Sequence, residues 1–310
     1  MKKILILGGF GFMGKNLNAI FSTDPNYEIF NESRRTDCDM NVLWKLRDKL
    51  EDIKPDIIIN AAAHVGSLGH LSKYTADVIY ENSVMYLTLY KAVSRMSKKE
   101  VVVINPLSNC SYPSHINIQN EEEWWNGAMH ESVKNFGITK KLAYELSQSF
   151  GKQYGVKSVN LILPNSYGEN DYLDSDKTHA MNGIIMRMIT SMRNNNSNFV
   201  VWGTGTPIRE WIYMPDACRI IKRIIDTENY TIPNPLNLGQ EKGLSIIEIV
   251  SYIKYLMGYN VDIVYDTTKQ DGAPNKILGN KQFRTYFPDF KFTDYETGIN
   301  NTIKYYKNLI

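Results

Sequence analysis

The sequence predicts an α/β fold in which a doubly wound parallel sheet carries a smaller C-terminal lobe. Two observations support this fold class. Short, continuously apolar runs alternate with amphipathic helical stretches through the first half of the 310-residue chain, and a glycine-rich turn follows the first apolar run. Strands that are apolar throughout are typical of a parallel sheet with helices on both faces. With 43% hydrophobic residues, the chain is long enough for a large core and a second lobe.

The pattern places five strands and four helices in the first half of the chain. The strands are predicted in KILILGG, YEIFNES, PDIIINAAA, EVVVINP and VNLILPN, and the helices at residues 15–21 and in VLWKLRDKLEDI, DVIYENSVMYLTLYKAVSRM and LAYELSQSFGKQYG. After about residue 165 the alternation weakens, and Trp, Tyr, Pro and Asn become prominent. We therefore predict one domain at residues 1–164, to which residues 210–240 return, and a second lobe at residues 165–310.

Composition and charge exclude several classes of protein. The formal net charge is +2, which gives no indication of a nucleic-acid partner or a membrane surface. No apolar run reaches the length of a membrane span. The three cysteines, Cys38, Cys110 and Cys218, lack the spacing of metal ligands, and their odd number argues against a disulfide framework. We expect a cytoplasmic protein without a metal site.

The turn after the first strand is predicted to bind a dinucleotide. In ILILGGFGFMG, residues Gly8, Gly11 and Gly14 follow a strand and open a helix, with Phe12 and Met13 between them. Glycine permits the tight turn and the close backbone approach, and the helix N-terminus offers free N–H groups to a pyrophosphate. This context indicates a Rossmann dinucleotide site. The alternative is a glycine turn that serves only helix–sheet packing.

The end of the second strand bears on the choice between NAD and NADP. An acidic residue there binds the ribose hydroxyls, whereas arginine accommodates a 2′-phosphate. The segment NESRRTDCDM contains both Glu32 and the pair Arg34 and Arg35. Because arginine grips phosphate with two parallel hydrogen bonds, the pair favours NADP, although either side chain could be an ordinary solvated arginine. Asp39 is a candidate contact for the adenine edge.

Four segments resemble one known family. They are NAAAHVGSLGHLSKYTADVIYEN, LSNCSYP, VVWGTGTPIREW and KQDGAPNKILGN. The chain is similar to the extended short-chain dehydrogenase/reductase superfamily, and most of all to its GDP-L-fucose synthase branch, the 3,5-epimerase/4-reductases of GDP-4-keto-6-deoxy-mannose. The likeness covers residues 4 to about 280. It implies NADP(H) as the cofactor, a GDP-linked 4-keto-6-deoxy sugar as the substrate, and a homodimer formed through the two long helices of the first half.

The resemblance implies a reduction step carried by Ser, Tyr and Lys. Tyr gives a proton to the C4 oxygen as hydride arrives from NADPH, and Lys lowers the Tyr pKa and holds the nicotinamide ribose. Ser108 and Lys140 occupy the Ser and Lys positions. Phe136, in VKNFGITKKLAYE, stands where the family has Tyr. A phenyl ring donates no proton, so we expect reduction to be impaired.

The resemblance also implies an epimerisation step beside the ketone, with Cys110 as base and His179 as acid. The alternatives are a small core cysteine and an ordinary polar histidine. Further residues follow from the same likeness. The cofactor contacts are Ala61, Ala62, Lys140 and His179, and the substrate contacts are Asn165, Arg187, Trp202, Arg209 and Lys276. Two arginines and a lysine suit a diphosphate, and Trp202 could pack on the guanine or ribose or fill the interface between the lobes.

Three hypotheses account for Phe136. In the first, the natural residue is Tyr and this chain is a substrate-trapping variant, since Tyr→Phe removes one oxygen and keeps the shape. In the second, Phe is natural and the enzyme epimerises without reducing, with NADP retained. In the third, the chain is a non-catalytic protein that binds a nucleotide sugar. The remaining site residues argue against the third hypothesis, and the surrounding NFGITKK favours the first.

A 4,6-dehydratase of the same superfamily is the rival enzyme class. That chemistry usually has Thr followed by two acidic residues where this chain has Ser108, Asn109 and Cys110, so the sequence argues against it. The sugar stays open: a 6-deoxyhexose, a 3,6-dideoxyhexose and a 6-deoxyheptose would each present a 4-keto group. The sequence also leaves open whether C3, C5 or both are inverted.

Overall fold

The structure, a computed structural model, describes residues 1–269 and 271–310. In chain order the strands are β1 (Lys2–Leu7), β2 (Tyr27–Glu32), β3 (Ile57–Asn60), β4 (Val102–Ser108), β5 (Ile118–Gln119), β6 (Lys157–Leu163), β7 (Asn165–Tyr167), β8 (Asn198–Trp202), β9 (Ile208–Tyr213), β10 (Leu236–Asn237), β11 (Gly243–Ser245), β12 (Asp262–Asp266) and β13 (Asn275–Leu278). The helices are α1 (Phe12–Phe21), α2 (Leu43–Ile53), α3 (Leu68–Lys73), α4 (Thr75–Ser94), α5 (Lys134–Tyr154), α6 (Ala180–Arg193), α7 (Met214–Asp226), α8 (Ile246–Met257), α9 (Lys281–Tyr286) and α10 (Tyr295–Lys307).

A six-stranded parallel sheet forms the centre of the molecule, in the order β10-β6-β4-β3-β1-β2. The prediction of an α/β fold with a parallel sheet is confirmed, and the five predicted strands are β1, β2, β3, β4 and β6. The strand β10 has only two residues, which is too short for an apolar pattern in the sequence.

Helices cover both faces of this sheet. Successive side chains of a strand point to opposite faces, so a strand that is apolar throughout needs a core on each side. Ile4 and Ile6 of β1 pack into a core with α1 and α7. Leu5 and Leu7 pack into a second core with α2 and α4. All four side chains are fully buried, which explains the continuous apolar runs in the sequence.

Two helices begin earlier than the apolar spacing predicts. Helix α1 begins at Phe12 rather than at residue 15, directly after the N-cap residue Gly11. Helix α5 begins at Lys134, ahead of the predicted LAYELSQSFGKQYG, and so includes Phe136 and Lys140. The first turns of α5 pack against the turn at Asn109–Ser111, so tertiary contact rather than apolar spacing decides where this helix starts.

The second half of the chain contributes to the central sheet and also builds a lobe of its own. Strand β10 pairs with β6, and α7 packs against α1. A second sheet has the order β11-β9-β13-β5, with β7 also paired to β9, and β8 pairs with β12. Helices α6, α8 and α10 enclose the core of this lobe around Trp211 and Tyr167. Of the helices described, none is long and apolar enough to cross a membrane.

Candidate active site

The carboxyl ends of β1, β3 and β4 open into a cavity of about 1330 Å³ between the central sheet and the second lobe. Gly14 is the one sequence-predicted site residue that does not line it among the residues described. The predicted residues on its wall are Gly8, Gly11, Phe12, Met13, Arg34, Arg35, Asp39, Ala61, Ala62, Ser108, Cys110, Phe136, Lys140, Asn165, His179, Arg187, Trp202, Arg209 and Lys276. The fold therefore brings together residues that lie up to 268 positions apart, from Gly8 to Lys276.

The glycine turn between β1 and α1 forms one end of the cavity. Gly14 lies beneath the turn, where a Cβ atom would sit 2.3 Å from the Gly8 carbonyl oxygen, so only glycine lets α1 close on β1. Beside the turn, Asn60 ends β3 and is only 3% exposed. Neither polar atom of its side chain has a hydrogen-bond partner within the described residues. A buried amide of this kind needs a partner, and a polar ligand in the cavity would supply one.

The end of β2 presents arginine rather than glutamate to the cavity. Arg34 and Arg35 line the wall. The Glu32 carboxylate is instead turned to Thr36, which donates a hydrogen bond to it, and to Lys49, whose Nζ lies 3.3 Å from Oε1. Because its carboxylate is already engaged, Glu32 is a poor partner for ribose hydroxyls, and a phosphate beside the arginines is the better fit.

The thiol of Cys110 lies in a polar, positively charged setting just beyond β4. The backbone N–H of Cys110 donates to Ser108 Oγ at 3.2 Å. Lys276 Nζ lies 3.3 Å from Cys110 Sγ. Burial opposes ionisation of the thiol, but the Lys276 ammonium, the Ser108 hydroxyl and the Arg209 guanidinium outweigh it. The pKa of Cys110 therefore lies below its ordinary value of 9.0. A lowered thiol pKa is the condition for a cysteine that acts as a base.

Helix α5 reaches this turn closely because residue 137 is glycine. A Cβ atom on Gly137 would lie 2.4 Å from the Cys110 carbonyl oxygen. Phe136 and Lys140, one helical turn apart, thus face the cavity beside the thiol, with Lys140 Nζ 4.7 Å from the centre of the Phe136 ring. Lys140 donates a 2.7 Å hydrogen bond to the hydroxyl of Tyr86. Burial lowers the pKa of Lys140 to about 8, against the opposing charge of Cys110.

His179 faces the cavity from the second lobe, at the N-cap of α6. Its Nδ1 lies 3.1 Å from both carboxylate oxygens of Asp171, which also accepts hydrogen bonds from Thr178 and Asn182. The ring packs 5.0 Å from that of Phe12. Burial opposes ionisation of Asp171, but the charge and hydrogen bonds of His179 outweigh it, so the pKa of Asp171 lies below 3.8. Since Asp171 occupies Nδ1, Nε2 is the nitrogen left for chemistry.

The far end of the cavity carries the predicted substrate residues. The Arg187 guanidinium lies between the rings of Phe199 and Trp202, about 5 Å from each, and donates to the Val200 carbonyl at 2.8 Å. Trp202 is 56% exposed, so it does not fill an interface between the lobes. Asn165 begins β7, and its buried Nδ2 has no partner in the described part of the chain. These groups leave an aromatic face, a cation and an amide open to a ligand.

The sequence from residue 4 to residue 239 matches the profile of a family described as the NAD dependent epimerase/dehydratase family. That segment is most of the chain and includes the glycine turn, the thiol turn and His179. The chain belongs to the NAD dependent epimerase/dehydratase family.

Several known proteins are similar over nearly the whole chain. A GDP-L-fucose synthase from Dictyostelium discoideum is 27% identical over 309 residues, which cover 98% of this chain and 95% of that protein. The structure of a GDP-6-OMe-4-keto-L-xylo-heptose reductase from C. jejuni matches with a TM-score of 0.90 at 18% identity, over 100% of this chain and 98% of that one. A GDP-L-fucose synthetase from Naegleria fowleri bound to NADP matches with a TM-score of 0.82 at 23% identity, over 99% and 94%. The two structures establish the shared fold.

Sequence reasoning missed three residues of the site. Asp171 precedes His179 by eight positions in an irregular loop, and no helical or strand spacing relates them. Tyr86 lies within the apolar stripe of α4 and has the pattern of an ordinary core residue. Asn60 did carry a signal, because it is the one polar residue that ends the apolar run of β3.

In the described chain, no group of three or more His, Cys, Asp or Glu side chains could hold a metal ion.

We expect Asp171→Asn to lower the free energy of unfolding at pH 7 by about 1–3 kcal/mol, because an amide cannot accept every hydrogen bond that the buried carboxylate accepts. The pKa of Asp171 is depressed on folding, so its contribution is present above 3.8 and is lost as the pH falls through the folded-state pKa. Urea unfolding of Asp171→Asn and of the unsubstituted chain, at pH 7 and at pH 3, measures the free energy of unfolding at each pH.

The exposed Asp52 provides the matched control, and Asp52→Asn should change the unfolding free energy by less than about 0.5 kcal/mol. The difference between Asp171→Asn and the unsubstituted chain should shrink at the lower pH. An equal loss at both pH values would show that the charge of Asp171 does not stabilise the fold.

Proposed function

We propose that the chain is an NADP(H)-dependent epimerase/reductase of a GDP-linked 4-keto-6-deoxy sugar, and that Phe136 impairs its reduction step. The single observation that carries this proposal is that a charge-activated thiol and an imidazole held by a carboxylate line the same cavity. Inversion at a carbon beside a ketone requires a base on one face of that carbon and an acid on the other. The relatives that are GDP-L-fucose synthases support the same substrate class.

We also propose a division of labour between the two parts of the chain. Residues 1–164, with 210–240, would hold the cofactor, because the glycine turn, Arg34 and Arg35 line its end of the cavity. Residues 165–310 would hold the nucleotide sugar through the aromatic and cationic groups around Trp202. The Naegleria fowleri protein has a structure bound to NADP, which supports the choice of cofactor.

Epimerisation would begin at Cys110. As a thiolate, Sγ would take a proton from the carbon next to C4, and the electron pair would move onto the C4 oxygen. His179 would return a proton from the other face, because Asp171 orients the ring and leaves Nε2 free. Arg209 and Arg187 would hold the diphosphate, since guanidinium groups bind its oxygens in pairs. Asn165 would contribute an amide to the sugar.

Reduction would fail because the C4 oxygen receives no proton, and not because the cofactor is missing. NADPH, when bound, supplies a hydride to C4. The C4 oxygen also needs a proton, and Phe136 has none to give. Ser108 remains on the cavity wall, and the Lys140 ammonium remains beside the Phe136 ring, where it would hold the nicotinamide ribose. The site would therefore bind both ligands and exchange substrate protons.

The activated thiol favours catalysis over simple binding of a nucleotide sugar. An epimerase that keeps NADP without reducing is the alternative enzyme, and it differs from our proposal only in whether Phe136 is the natural residue. The C. jejuni relative acts on a heptose and the Dictyostelium relative makes GDP-L-fucose, so the sugar itself stays open. The expected cytoplasmic location stays a prediction.

The first prediction concerns proton exchange. With NADPH and GDP-4-keto-6-deoxy-mannose in heavy water, we expect NMR spectra to show deuterium at C3, C5 or both, without reduction at C4. Phe136→Tyr should then raise the rate of C4 reduction by about 10²–10⁴-fold, the usual contribution of a positioned proton donor.

Two further results make the exchange experiment decisive. Cys110→Ser should abolish deuterium uptake, whereas binding of the nucleotide sugar should persist. Rapid C4 reduction by the unsubstituted chain would contradict the block at Phe136. No exchange at any carbon, with GDP-sugar binding intact, would contradict the epimerase proposal and favour a binding protein.

The second prediction concerns the cofactor. Arg34→Ala and Arg35→Ala should each weaken NADPH binding at least ~10-fold, since a hydrogen bond to a charged group contributes about 1.5–3 kcal/mol. NADH binding should change little, because NADH has no 2′-phosphate. Titration calorimetry with both cofactors measures this. Arg47→Ala removes an exposed arginine elsewhere and serves as the charge control. Equal losses for NADPH and NADH would argue against a 2′-phosphate site.

The third prediction concerns assembly. We propose that two chains associate through α4 and α5, as the resemblance implies. The two helices pack side by side and leave Ile79, Tyr80, Leu87 and Ile138 exposed. Sedimentation should give twice the mass of one chain, and Leu87→Glu should shift the protein toward the mass of one chain. Sedimentation of the unsubstituted protein at the mass of one chain would contradict this.

A further inference from the structure

We propose that Lys276 is the charge partner that keeps Cys110 as a thiolate in the resting protein, in place of the diphosphate contact expected from the sequence. The proposal rests on the proposed function in one respect, since it explains how the base of that site is generated. The contact itself is visible in the structure: Lys276 Nζ lies 3.3 Å from Cys110 Sγ.

The position of Lys276 in the second sheet puts two cations side by side. Strand β13 runs parallel to β9, and Lys276 is paired in register with Arg209. Both residues are largely buried, at 6% and 9% exposure, and both line the cavity. Like charges on neighbouring strands destabilise a sheet, and buried charges cost more than exposed ones. Such a pair needs an anion nearby.

Carboxylates within the described residues do not form an ion pair with either cation. Arg209 donates instead to the Ile208 carbonyl at 2.8 Å. Glu210 follows Arg209 on β9, but its carboxylate accepts backbone hydrogen bonds from Leu278 and Glu241, at 2.7 and 3.1 Å. Asp271 attracts Arg209, yet its oxygens accept hydrogen bonds from Thr204. Within the described residues, the anion that both cations stabilise is therefore the Cys110 thiolate.

The charged groups that face the thiol come from three elements and share one sign. Lys276 on β13 and Arg209 on β9 favour the thiolate. Lys140 on α5 faces it too: burial lowers the pKa of Lys140 to about 8, and the charge of Cys110 opposes that shift. His130 precedes α5. Burial and the charges of Lys276 and Arg209 lower the pKa of His130. His130 is thus disfavoured as an additional cation at neutral pH.

Lys276 would stabilise the Cys110 thiolate by its charge and would not itself transfer a proton. When the Cys110 thiolate takes the carbon-bound proton, an S–H bond forms, the C–H bond breaks, and the electron pair moves to the C4 oxygen. Lys276 keeps its proton throughout. His179 then gives a proton to the carbon, and the electron pair returns from the C4 oxygen to form the new C–H bond. His179 regains a proton from solvent, and the Cys110 thiol releases its proton to solvent, because Lys276 again stabilises the thiolate. The resting state is then restored.

The test is the pH dependence of thiol alkylation in the free protein. Iodoacetamide reacts with the thiolate, so the rate against pH, followed by mass spectrometry of the Cys110 peptide, reports the thiol pKa. In Lys276→Met the midpoint should rise by at least about one pH unit, which makes alkylation ~10-fold slower at a pH well below the original midpoint. Lys276→Arg keeps the charge and should stay near the original midpoint. Lys281→Met removes an exposed lysine and should change nothing.

Folding is checked within the same experiment. Cys38 and Cys218 are buried, and burial raises the pKa of both thiols, so they should stay unreactive in every variant. If they react in Lys276→Met, the less apolar Lys276→Gln is measured in its place. An unchanged midpoint in a folded variant that lacks the Lys276 charge overturns the proposal.

This experiment separates the two proposals because it uses neither cofactor nor sugar. A low midpoint that depends on Lys276, together with no deuterium exchange, would uphold the charge pair and reject the epimerase. Exchange together with a midpoint that is independent of Lys276 would uphold the epimerase and reject the charge pair.

Discussion

Buried positive charge without carboxylate partners is the constraint on which the site depends. Lys140, Arg209 and Lys276 are all largely buried, and in the described chain their nearest polar partners are a tyrosine hydroxyl, a backbone carbonyl and a thiol. Removing an ammonium or a guanidinium from water costs several kcal/mol unless an anion compensates. The cavity therefore favours negative charge, whether on the Cys110 thiolate, on a bound diphosphate or on a ketone oxygen of a ligand. Its electrostatics are in place before a ligand enters, which is the condition for effective stabilisation of developing charge.

Cys110 and His179, the proposed base and acid, each have a partner that the chain brings from elsewhere. Cys110 follows a strand of the central sheet, and its partner Lys276 comes from the second sheet. His179 begins a helix of the second lobe, and Asp171 reaches it from the preceding loop. Each contact fixes the position of its group. Cys110 and His179 line the same cavity although they come from the central sheet and the second lobe.

The surroundings of Phe136 include a buried lysine that has its own hydrogen-bond partner. Lys140 is held by Tyr86 and lies over the Phe136 ring, so the ammonium has a partner although residue 136 carries no hydroxyl. Tyr86 is fully buried behind Lys140, and burial raises the pKa of its hydroxyl. It anchors the lysine but does not line the cavity. Lys140 is therefore held in place without a hydroxyl on residue 136.

The sequence by itself determined the class of fold and the kind of chemistry. Apolar runs such as that of β1 fix a parallel sheet because both faces of the strand are covered, and the glycine turn can only follow such a strand. Local patterns could not determine the ionic partners. Lys276 and Cys110 are 166 positions apart, and their contact joins a strand of the second sheet to the turn after β4 of the central sheet. The sequence favoured Arg34 and Arg35 over Glu32 without showing where the Glu32 carboxylate lies, and the hydrogen bond from Thr36 shows that this carboxylate is engaged while the arginines line the cavity. Charge pairing depends on distances of a few ångströms, and those distances are set by tertiary packing.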